Sequence, residues 1–499
     1  MQSCLHEDAT VECALVETTI EDPGPDEVLV AIEASPINPS DLGLMFGAGD
    51  FATAREAERN GQPAVVLDVS PAAMRAMAPR VGHWMAVGNE ASGRVIAAGE
   101  SEAAQGLLGQ RVGMFGGEMY ATHRCLPASQ CLAFPESISA EQAASCFVNP
   151  MTALGFMETR DMEGQKAMVH TAAASNLGQM LIRLCEADGV PLVNIVRAEE
   201  QVTLLKSMGA EWVLNSQSDA FMSDLIDALV ATGATLAFDA IGGGRVVNRI
   251  LTAMELAAAK SGPWSRYGSE EPKQAYIYGQ LDLGATELTR GYGWVWSVSG
   301  WLLTPFMNRA GPERVARMRE RVMSEIDTTF ASHYSSRISL QEALTVSAAR
   351  EYGARKTGQK TLLVMADSAA RQFDLIAHLR ERLLAGGALI PLNFNNAFLD
   401  RAADAATLFE LFADGFEPLR MFRYAFDDSD RFAASAFGFA ANSDNTIACR
   451  GRLGAPAHAS SNGPLALHAQ APAIRAVYRP GRGCLDHMSV LMVVFQPIL

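Results

Sequence analysis

The residues best suited to chemistry lie in a strand–loop–helix segment between residues 166 and 179. A short apolar strand at 167–170 runs into small residues and then into a helix predicted over 177–187. A second apolar strand at 192–196 completes a βαβ unit of the length that a mononucleotide site requires. Small residues let the backbone approach a pyrophosphate, and a helix N-terminus offers free N–H groups and the positive end of its dipole. The segment therefore predicts a nucleotide site.

The loop of this segment lacks a complete Gly-x-Gly-x-x-Gly fingerprint, because only Gly178 remains, beside Ala173, Ser175 and Asn176. An ordinary tight strand–helix turn is the alternative. The residue after the second strand adds to the nucleotide hypothesis. NAD sites place an acidic residue there for the ribose 2′-hydroxyl, whereas this chain has Arg197, whose guanidinium suits a 2′-phosphate. Arg197 thus predicts NADP(H), and a solvated surface arginine is the alternative.

The elements around this site divide the chain into three regions. Residues 1–135 look β-rich, with short strands at 28–32, 93–98 and 109–114. From about 140 to 278, strands alternate with helices, which predicts a parallel, doubly wound sheet and an α/β fold. Two later strand ends are followed by Gly242 and Gly279, and both glycines would line the same crevice, since open α/β sheets bind ligands at the carboxyl ends of their strands.

The third region, 367–499, contains no lysine and has a run of phenylalanines from Phe394 to Phe439. An amphipathic helix is predicted at 367–384. The region carries no motif that indicates a function. It is either a poorly structured or small appended region, or a small partner-binding domain.

Composition excludes several classes of protein. The 499 residues are 49% hydrophobic and carry a formal charge of −16, which disfavours disorder, general nucleic-acid binding and attraction to anionic lipid surfaces. The N-terminus lacks the pattern of a signal peptide, and no apolar run reaches the length of a membrane span. Eight cysteines without CxxC spacing read as reduced thiols, not as a zinc cluster. We therefore expect a cytoplasmic protein with no nucleic-acid or membrane partner.

Several motifs together resemble the zinc-independent branch of the medium-chain dehydrogenase/reductase superfamily. They are Pro-Ile-Asn-Pro-Ser-Asp at 36–41, Val-Gly-Asn-Glu-Ala-Ser-Gly at 87–93, Asn-Pro-Met-Thr-Ala at 149–153 and the nucleotide loop. The resemblance covers residues 10–365. The zinc-independent branch includes quinone oxidoreductases and enoyl-thioester reductases. The resemblance implies a GroES-like β-rich catalytic domain at 1–145, rejoined by 335–366, a Rossmann NADP(H)-binding domain at 146–334, and an active site between them. Residues 367–499 form an appended region outside the resemblance.

The resemblance also implies that no metal is bound. Zinc-dependent relatives use a cysteine, a histidine and a second cysteine, at positions that correspond here to Asn38, Asn89 and Val148. Neutral amides and a valine cannot replace thiolate and imidazole ligands. The four-cysteine loop of a structural zinc site is also missing, because no cysteine lies between Cys13 and Cys125.

Positions carried over from the family give the expected contacts of NADPH. Asn149 and Thr152 would lie near the nicotinamide, and Arg197 at the 2′-phosphate. Lys360 would lie on the returning segment. The remaining expected cofactor residues are Ala174, Ser175, Asn176, Leu177 and Gly178 at the pyrophosphate, Gly242, Tyr278, Gly279, Gln280 and Leu281 at the later strand ends, and Trp301, Leu302 and Leu303 against the nicotinamide.

The predicted reaction is hydride transfer from NADPH to a quinone or a small conjugated carbonyl. Tyr120 is the nearest phenol that could donate a proton, although a packing role is the alternative. Asn38 and Asn89 could bind a substrate oxygen or serve as structural amides. The enoyl-thioester reductases use a tyrosine shortly after the Asn-Pro-Ser-Asp motif, but the corresponding stretch at 47–51 has none.

Two other functions stay open. The first is an enoyl-thioester reductase with a relocated proton donor, which would need a basic entrance for phosphates, for example from Arg55, Arg59, Arg75 and Arg80. The second is a non-catalytic NADPH-binding scaffold in which 367–499 binds a partner. The resemblance also implies a homodimer.

Overall fold

Two mainly antiparallel sheets form the first part of the chain. The computed structural model describes residues 1–354, 358 and 360–365, and the backbone of four strands between 420 and 494. The first ten strands are β1 (Gln2–Leu5), β2 (Thr10–Ala14), β3 (Glu27–Pro36), β4 (Gly49–Arg59), β5 (Gln62–Val69), β6 (Met85–Ala86), β7 (Glu90–Ala98), β8 (Arg111–Phe115), β9 (His123–Pro127) and β10 (Cys131–Phe134). The helices among them are α1 (Pro39–Phe46), α2 (Pro71–Ala76), α3 (Glu102–Gln105) and α4 (Ala140–Ala143).

Alternation along the strands builds the core of these sheets. One sheet has the order β4-β5-β2-β1-β6, and the other contains β10-β8-β7-β3, with β9 also pairing with β3. Val28, Val30 and Ile32 of β3 are completely buried, whereas the residues between them are partly exposed. This period of two turns one face of β3 towards the core.

The second part of the chain is a parallel, doubly wound sheet. Its strands are β11 (Met168–Thr171), β12 (Leu192–Val196), β13 (Trp212–Asn215), β14 (Leu236–Asp239), β15 (Gly242–Gly244), β16 (Lys273–Ile277), β17 (Asp282–Thr286) and β18 (Trp296–Gly300). Its helices are α5 (Val148–Met162), α6 (Asn176–Asp188), α7 (Glu199–Ser207), α8 (Phe221–Thr232), α9 (Val246–Ser261), α10 (Leu303–Ala310) and α11 (Pro312–Ser324).

The strands lie in the order β13-β12-β11-β14-β16-β18. Strand numbers rise outwards on both sides of the boundary between β11 and β14, so the strand order reverses there while the strands stay parallel. This is the order of a dinucleotide-binding Rossmann sheet, whose ligand crevice lies at the point of reversal. Strands β11 and β12 are buried over their whole length, as strands covered by helices on both faces are. The α/β fold class predicted from the sequence, a GroES-like part and a Rossmann sheet, is confirmed.

The chain then returns to the first sheets through β19 (Ser336–Ile338), α12 (Val346–Gly353) and β20 (Thr361–Val364). Strand β20 pairs antiparallel with β3, and β19 pairs with β20. The residue limits of the two domains, 1–145 with 335–366 and 146–334, stay a prediction. Among the residues that the structure describes, no helix is both long and apolar enough to cross a bilayer.

Residues 367–499 form a separate unit. Its described strands are β21 (Arg420–Phe426), β22 (Phe432–Ala441), β23 (Ile447–Leu453) and β24 (Val490–Val494), and they form an antiparallel sheet in the order β23-β22-β21-β24. The sequence analysis did not predict this sheet. The helix predicted at 367–384 lies outside the described residues.

Candidate functional site

The Rossmann sheet reverses its order between β11 and β14, where such sheets have their ligand crevice, and one buried acid organises the backbone there. Asp239 at the end of β14 is fully buried, and its Oδ1 accepts a hydrogen bond of 2.6 Å from Thr171 Oγ1 at the end of β11. Thr171 Oγ1 in turn accepts from the Ala240 N–H at 2.9 Å. Asp239 Oδ2 accepts from the Gly242 N–H at 2.8 Å, and Gly242 has a φ of +80°, which favours glycine. The predicted residue Gly242 thus lies in the turn that closes the crevice.

The loop between β11 and α6 forms a cradle for an anion. Ser175 is the N-cap of α6, and its Oγ accepts from the Gly178 N–H at 3.1 Å. A Cβ at Gly178 would lie 2.1 Å from the carbonyl oxygen of Ala173, so only glycine lets the helix approach the strand this closely. Because the Gly178 N–H is taken by the cap, the N–H groups left for a phosphate are those of Asn176 and Leu177, which have no acceptor among the described residues. The cradle fits a nucleotide pyrophosphate.

Arg197 lies directly after β12, at the same end of the sheet. The residue is exposed, and its side chain forms no salt bridge or hydrogen bond with the described part of the chain. Its backbone N–H is bound by Gln201 Oε1 at 3.1 Å, which fixes the start of the following turn. The guanidinium is therefore free to pair with an anion outside the fold.

The chain leaving β16 closes the far side of the crevice. Tyr278 Oη and His170 Nε2 are hydrogen-bonded at 2.7 Å, and burial lowers the pKa of His170 to about 3, which keeps its imidazole neutral. A Cβ at Gly279 would lie 2.6 Å from the carbonyl oxygen of Ala240, so this glycine is needed for close packing. Leu281, which follows Gln280, donates its N–H to the same carbonyl at 3.2 Å and is 43% exposed.

Three predicted nicotinamide residues lie in different surroundings from one another. Trp301 is 7% exposed, and its Nε1 donates to Thr159 Oγ1 on α5 at 3.1 Å. Its ring covers Gly155, where a Cβ would lie 2.7 Å from the indole. The structure thus gives Trp301 a packing role between α5 and α10. Leu302 is 65% exposed, and Leu303 starts α10 and packs against the core.

A buried acid, Glu90, joins the start of β7 to the first turn of α5. Its Oε1 accepts from Asn38 Nδ2 at 2.9 Å and from Ser145 Oγ at 3.3 Å. Its Oε2 accepts from the N–H groups of Phe147 at 2.7 Å and Val148 at 2.9 Å. These two N–H groups belong to the N-terminus of α5, where the helix dipole favours a negative charge. Glu90 thus holds the turn that carries Asn149 and Thr152.

Both of those predicted residues are bound within the protein. Asn149 is 8% exposed, and its Nδ2 donates to Asn38 Oδ1 at 3.3 Å. Thr152 is also 8% exposed, and its Oγ1 donates to the Val148 carbonyl at 2.5 Å. Their positions depend on α5 and on its cap at Glu90.

The three positions that correspond to zinc ligands in relatives are occupied by groups engaged in the fold. Asn38 lies between Glu90 and Asn149, as described above, and Val148 binds Glu90 through its backbone. Asn89 Nδ2 donates to Asp41 Oδ1 at 2.7 Å and to Ser40 Oγ at 3.2 Å. These bonds favour the structural alternative for the two amides. No group of three or more His, Cys, Asp or Glu side chains in the described ranges could hold a metal ion.

Neither candidate position for a phenolic proton donor offers one to the crevice. Tyr120 is completely buried, its hydroxyl donates to the Pro36 carbonyl at 3.0 Å, and burial raises its pKa. Phe51, in the stretch where relatives carry a tyrosine, packs against Phe46 and Tyr352 with ring centroids 5.3 and 6.5 Å away. The structure therefore favours the packing role for Tyr120.

Lys360, directly before β20, enters the same buried region. Its Nζ donates to Ser145 Oγ at 2.7 Å and lies 5.6 Å from the centre of the Tyr334 ring. Burial lowers the pKa of Lys360 to about 8, although the negative charges of Glu90 and Asp41 oppose the shift. Lys360 is thus a buried cation connected through one hydroxyl to a buried carboxylate.

Comparisons with known proteins agree with this architecture. Residues 177–261 match the family model described as "Zinc-binding dehydrogenase". The mitochondrial enoyl-[acyl-carrier-protein] reductase of Caenorhabditis elegans is 28% identical over 209 residues, which are 40% of this chain and 52% of that protein. Prostaglandin reductase-3 of Mus musculus is 25% identical over 158 residues, 32% of this chain and 41% of that protein. The chain thus spans about half the length of these curated relatives.

Solved structures match over a larger part of the chain. A putative NADPH:quinone reductase from Mesorhizobium loti is 23% identical, with a TM-score of 0.52, over 71% of this chain and 98% of that one. The quinone oxidoreductase of Escherichia coli, solved with NADPH, is 18% identical, with a TM-score of 0.51. The match covers 71% of this chain and 100% of the E. coli chain. Identities this low establish the fold alone. The family model and the curated relatives are those of dehydrogenases and reductases, so this chain is similar to the medium-chain dehydrogenase/reductase superfamily in sequence and in fold.

These comparisons confirm the resemblance drawn from the motifs. Residues that the sequence analysis missed are Thr171, Asp239, Glu90 and Ser145. For Asp239 a signal exists, since it is the acid that ends the otherwise apolar strand β14, whereas Glu90 begins β7, which is buried only in part. Ser145 carries no local signal.

Proposed function

We propose that this chain is an NADPH-dependent reductase that delivers hydride to a quinone or a small conjugated carbonyl and uses no zinc. The observation that carries this proposal is the reversal point of the sheet, where the N-terminus of α6 and Arg197 lie at the same end; within the described residues the guanidinium of Arg197 has no ion-pair partner. The first feature suits a pyrophosphate and the second a 2′-phosphate. The NADPH complex of the E. coli quinone oxidoreductase supports the choice of cofactor.

The protein's part in the reaction is mainly to orient the reactants and to exclude water. When bound, the nicotinamide supplies the hydride. The Asn176 and Leu177 N–H groups bind the pyrophosphate, and α5, held by Glu90, presents Asn149 and Thr152 at the nicotinamide end. Lys360 adds a positive charge near the phosphates. The neutral His170 is completely buried and holds the Tyr278 hydroxyl in place.

A quinone suits this site because it requires no dedicated proton donor; its reduced oxygens take protons from water. The burial of Tyr120 and the phenylalanine at position 51 support this choice over an acceptor that needs a phenol.

An enoyl-thioester reductase is the second candidate, favoured by relatives that carry this name, such as the C. elegans protein. Three of the four arginines that could form the basic entrance it requires are bound within the protein. Arg55 pairs with Asp68 at 2.7 Å, and Arg59 pairs with Glu12 at 3.2 Å. Arg80 is bound to Ser3 Oγ at 2.8 Å, so among these four arginines only Arg75 has no such engagement within the described residues.

The deciding experiment follows NADPH oxidation by the purified full-length chain against quinones, enals and enoyl-thioesters in parallel. Turnover of quinones or enals above that of the thioesters supports the proposal, and the reverse order supports the second candidate. A Gly178→Val variant, in which the cradle cannot form, is the control for oxidation without the site. NADPH binding without oxidation by any acceptor would instead support a scaffold in which 367–499 binds a partner.

We further propose a homodimer through β18. Among the described strands, β18 is at the edge of the Rossmann sheet and pairs with β16 alone, and it contains no charge and no proline. Trp294 beside it is 78% exposed, and Leu283 and Leu302 are 71% and 65% exposed. A second copy would pair its own β18 antiparallel to this edge. Sedimentation should show a dimer that Trp294→Lys dissociates; a monomeric wild type would refute this.

A further inference from the structure

The carboxylate of Asp239 is a buried group whose neighbours are all hydrogen-bond donors. The residue is completely buried and forms no salt bridge within the described part of the chain. Its Oδ1 accepts from Thr171 Oγ1 at 2.6 Å and from the Ile241 N–H at 3.2 Å, and its Oδ2 accepts from the Gly242 N–H at 2.8 Å. Because each of these partners donates, the side chain is held as an acceptor-only carboxylate ion.

These bonds hold the turn that follows β14. The N–H groups of Ile241 and Gly242 lie two and three residues after Asp239, a spacing at which an aspartate closes a turn on its own backbone. Through Thr171 the same carboxylate reaches the end of β11, where Ala172 has a φ of +49°. Alanine is strained in this left-handed conformation, so the loop after β11 needs contacts that hold it in place.

The turn after β14 in turn receives the segment that leaves β16. Three successive carbonyls accept hydrogen bonds from this segment: those of Asp239, Ala240 and Ile241 accept from the N–H groups of Tyr278, Leu281 and Asp282 at 2.9, 3.2 and 2.9 Å. Burial and the negative charge of Asp239 both raise the pKa of Tyr278, so the charge of the carboxylate acts on that phenol. One buried side chain thus joins the ends of β11, β14 and β16.

The place of these turns in the sheet gives them a role separate from that of Arg197. A Rossmann sheet consists of two mononucleotide-binding halves, and a dinucleotide spans the point where the strand order reverses. Arg197 follows β12, in the half that suits the adenosine end with its 2′-phosphate, whereas β14 and β16 belong to the other half. The turns that Asp239 holds therefore lie in the half that suits the nicotinamide.

We propose that Asp239 is a positioning residue for the nicotinamide half of NADPH, and that it acts with Thr171 by fixing the turns after β14 and β16. This proposal rests on the proposed NADPH-dependent function. It requires no contact between the carboxylate and the cofactor, because the completely buried side chain acts through the backbone of the turns. The expected signature is a loss of affinity confined to the nicotinamide end.

The test uses Asp239→Asn and Thr171→Val in the full-length chain. Asparagine places an NH2 group where one carboxylate oxygen accepts, so the N–H of Ile241 or of Gly242 loses its acceptor. Valine keeps the shape of Thr171 but removes the hydroxyl that joins β11 to Asp239.

Two probes are titrated by calorimetry: NADPH, and 2′-phospho-ADP-ribose, which lacks the nicotinamide. Both variants should bind NADPH about tenfold or more weakly, because a hydrogen bond to a charged group is lost, while the shorter probe stays within about twofold. The fluorescence of the bound nicotinamide should also move towards that of free NADPH.

Two further variants separate positioning from stabilisation alone. Thr171→Ser keeps the hydroxyl and should bind NADPH within about twofold of the wild type. Thr232→Val is the matched control, because the Thr232 hydroxyl also donates, to the Ala228 carbonyl at 2.8 Å, and accepts, from the Ala234 N–H at 3.4 Å. It ends α8 just before β14 begins, at the opposite end of the sheet, so its loss should lower the melting temperature and leave both affinities unchanged.

The proposal is overturned if Asp239→Asn and Thr171→Val bind NADPH like the wild type, or if both probes weaken equally. If Asp239→Asn does not fold, the comparison of Thr171→Val with Thr171→Ser still decides. If the wild type binds no NADPH, the proposed function fails first, and this outcome is distinguishable because it is seen before any variant is compared.

Discussion

Replacing Glu90 by glutamine tests the junction between β7 and the N-terminus of α5. Glutamine keeps the shape of the side chain and one of its two oxygens. If that oxygen stays with the Phe147 and Val148 N–H groups, the new NH2 group faces Asn38 Nδ2 and Ser145 Oγ. The serine hydroxyl can turn to accept, but the amide of Asn38 then has no acceptor.

The magnitude follows from these contacts. A buried donor without an acceptor costs about 1–3 kcal/mol, and two bonds to the carboxylate become neutral, at about 1 kcal/mol each. Removing a buried charge offsets part of this loss, because its desolvation cost also disappears. We expect Glu90→Gln to lower the free energy of unfolding by about 3 kcal/mol. At roughly 2–4 °C per kcal/mol, the melting temperature should fall by roughly 6–12 °C.

The assay is urea unfolding followed by tryptophan fluorescence, together with NADPH titration. NADPH affinity should also fall, because the turn with Asn149 and Thr152 loses its anchor. Glu136→Gln is the control: this side chain is 66% exposed in its pairs with Arg94 and Arg111, so its loss should cost less than about 1 kcal/mol. If Glu90→Gln unfolds within about 1 kcal/mol of the wild type, the junction does not stabilise α5 as argued.

Four further predictions concern the cofactor, the metal and the appended region. Arg197→Ala should remove a preference for NADPH over NADH of about 10–150-fold, worth ~1.5–3 kcal/mol, as measured by parallel titrations. A variant that keeps the preference would show that Arg197 does not bind the 2′-phosphate. NADPH affinity should be constant below the Lys360 pKa of about 8 and should fall above it, because the ammonium loses its proton. Titrations between pH 7 and about 9.5 should show that Lys360→Met removes this pH dependence. Elemental analysis of the purified chain should find no stoichiometric zinc, and about one zinc per chain would contradict the argument from the three substituted ligand positions. A chain ending at Ala366 should stay folded and bind NADPH, because all the described site residues precede that point; insolubility, or an affinity loss above about tenfold (about 1.4 kcal/mol), would show that the rest belongs to the functional fold.

Local patterns were sufficient to predict the elements around the nucleotide site. The strand at 192–196 agrees with β12 residue by residue, and the helix at 177–187 differs from α6 by one residue at each end. Apolar runs and small residues determine these elements over short distances, so their positions are legible in one segment. The sheet of β21 to β24 was missed, and its region had no motif against which to anchor a prediction.

The contacts that complete the site are of another kind. Lys360 and Ser145 are 215 residues apart in the sequence, and Asn176 and Ser332 are 156 apart. The role of Trp301 depends on the packing of α10 against α5, which no spacing within its own segment indicates. Partners at such separations are chosen by the arrangement of whole sheets and helices.

The amino-acid sequence by itself indicated the family resemblance, the α/β fold class, the loop between β11 and α6 and the arginine at the end of β12, because each depends on residue type and short-range order. Only the tertiary structure decided which amides are structural, that Gly178 serves close packing and not phosphate contact, and that the Asp239 carboxylate joins the ends of β11 and β14. The physical reason is that burial and hydrogen-bond satisfaction are properties of a side chain's surroundings, and segments distant in sequence supply those surroundings.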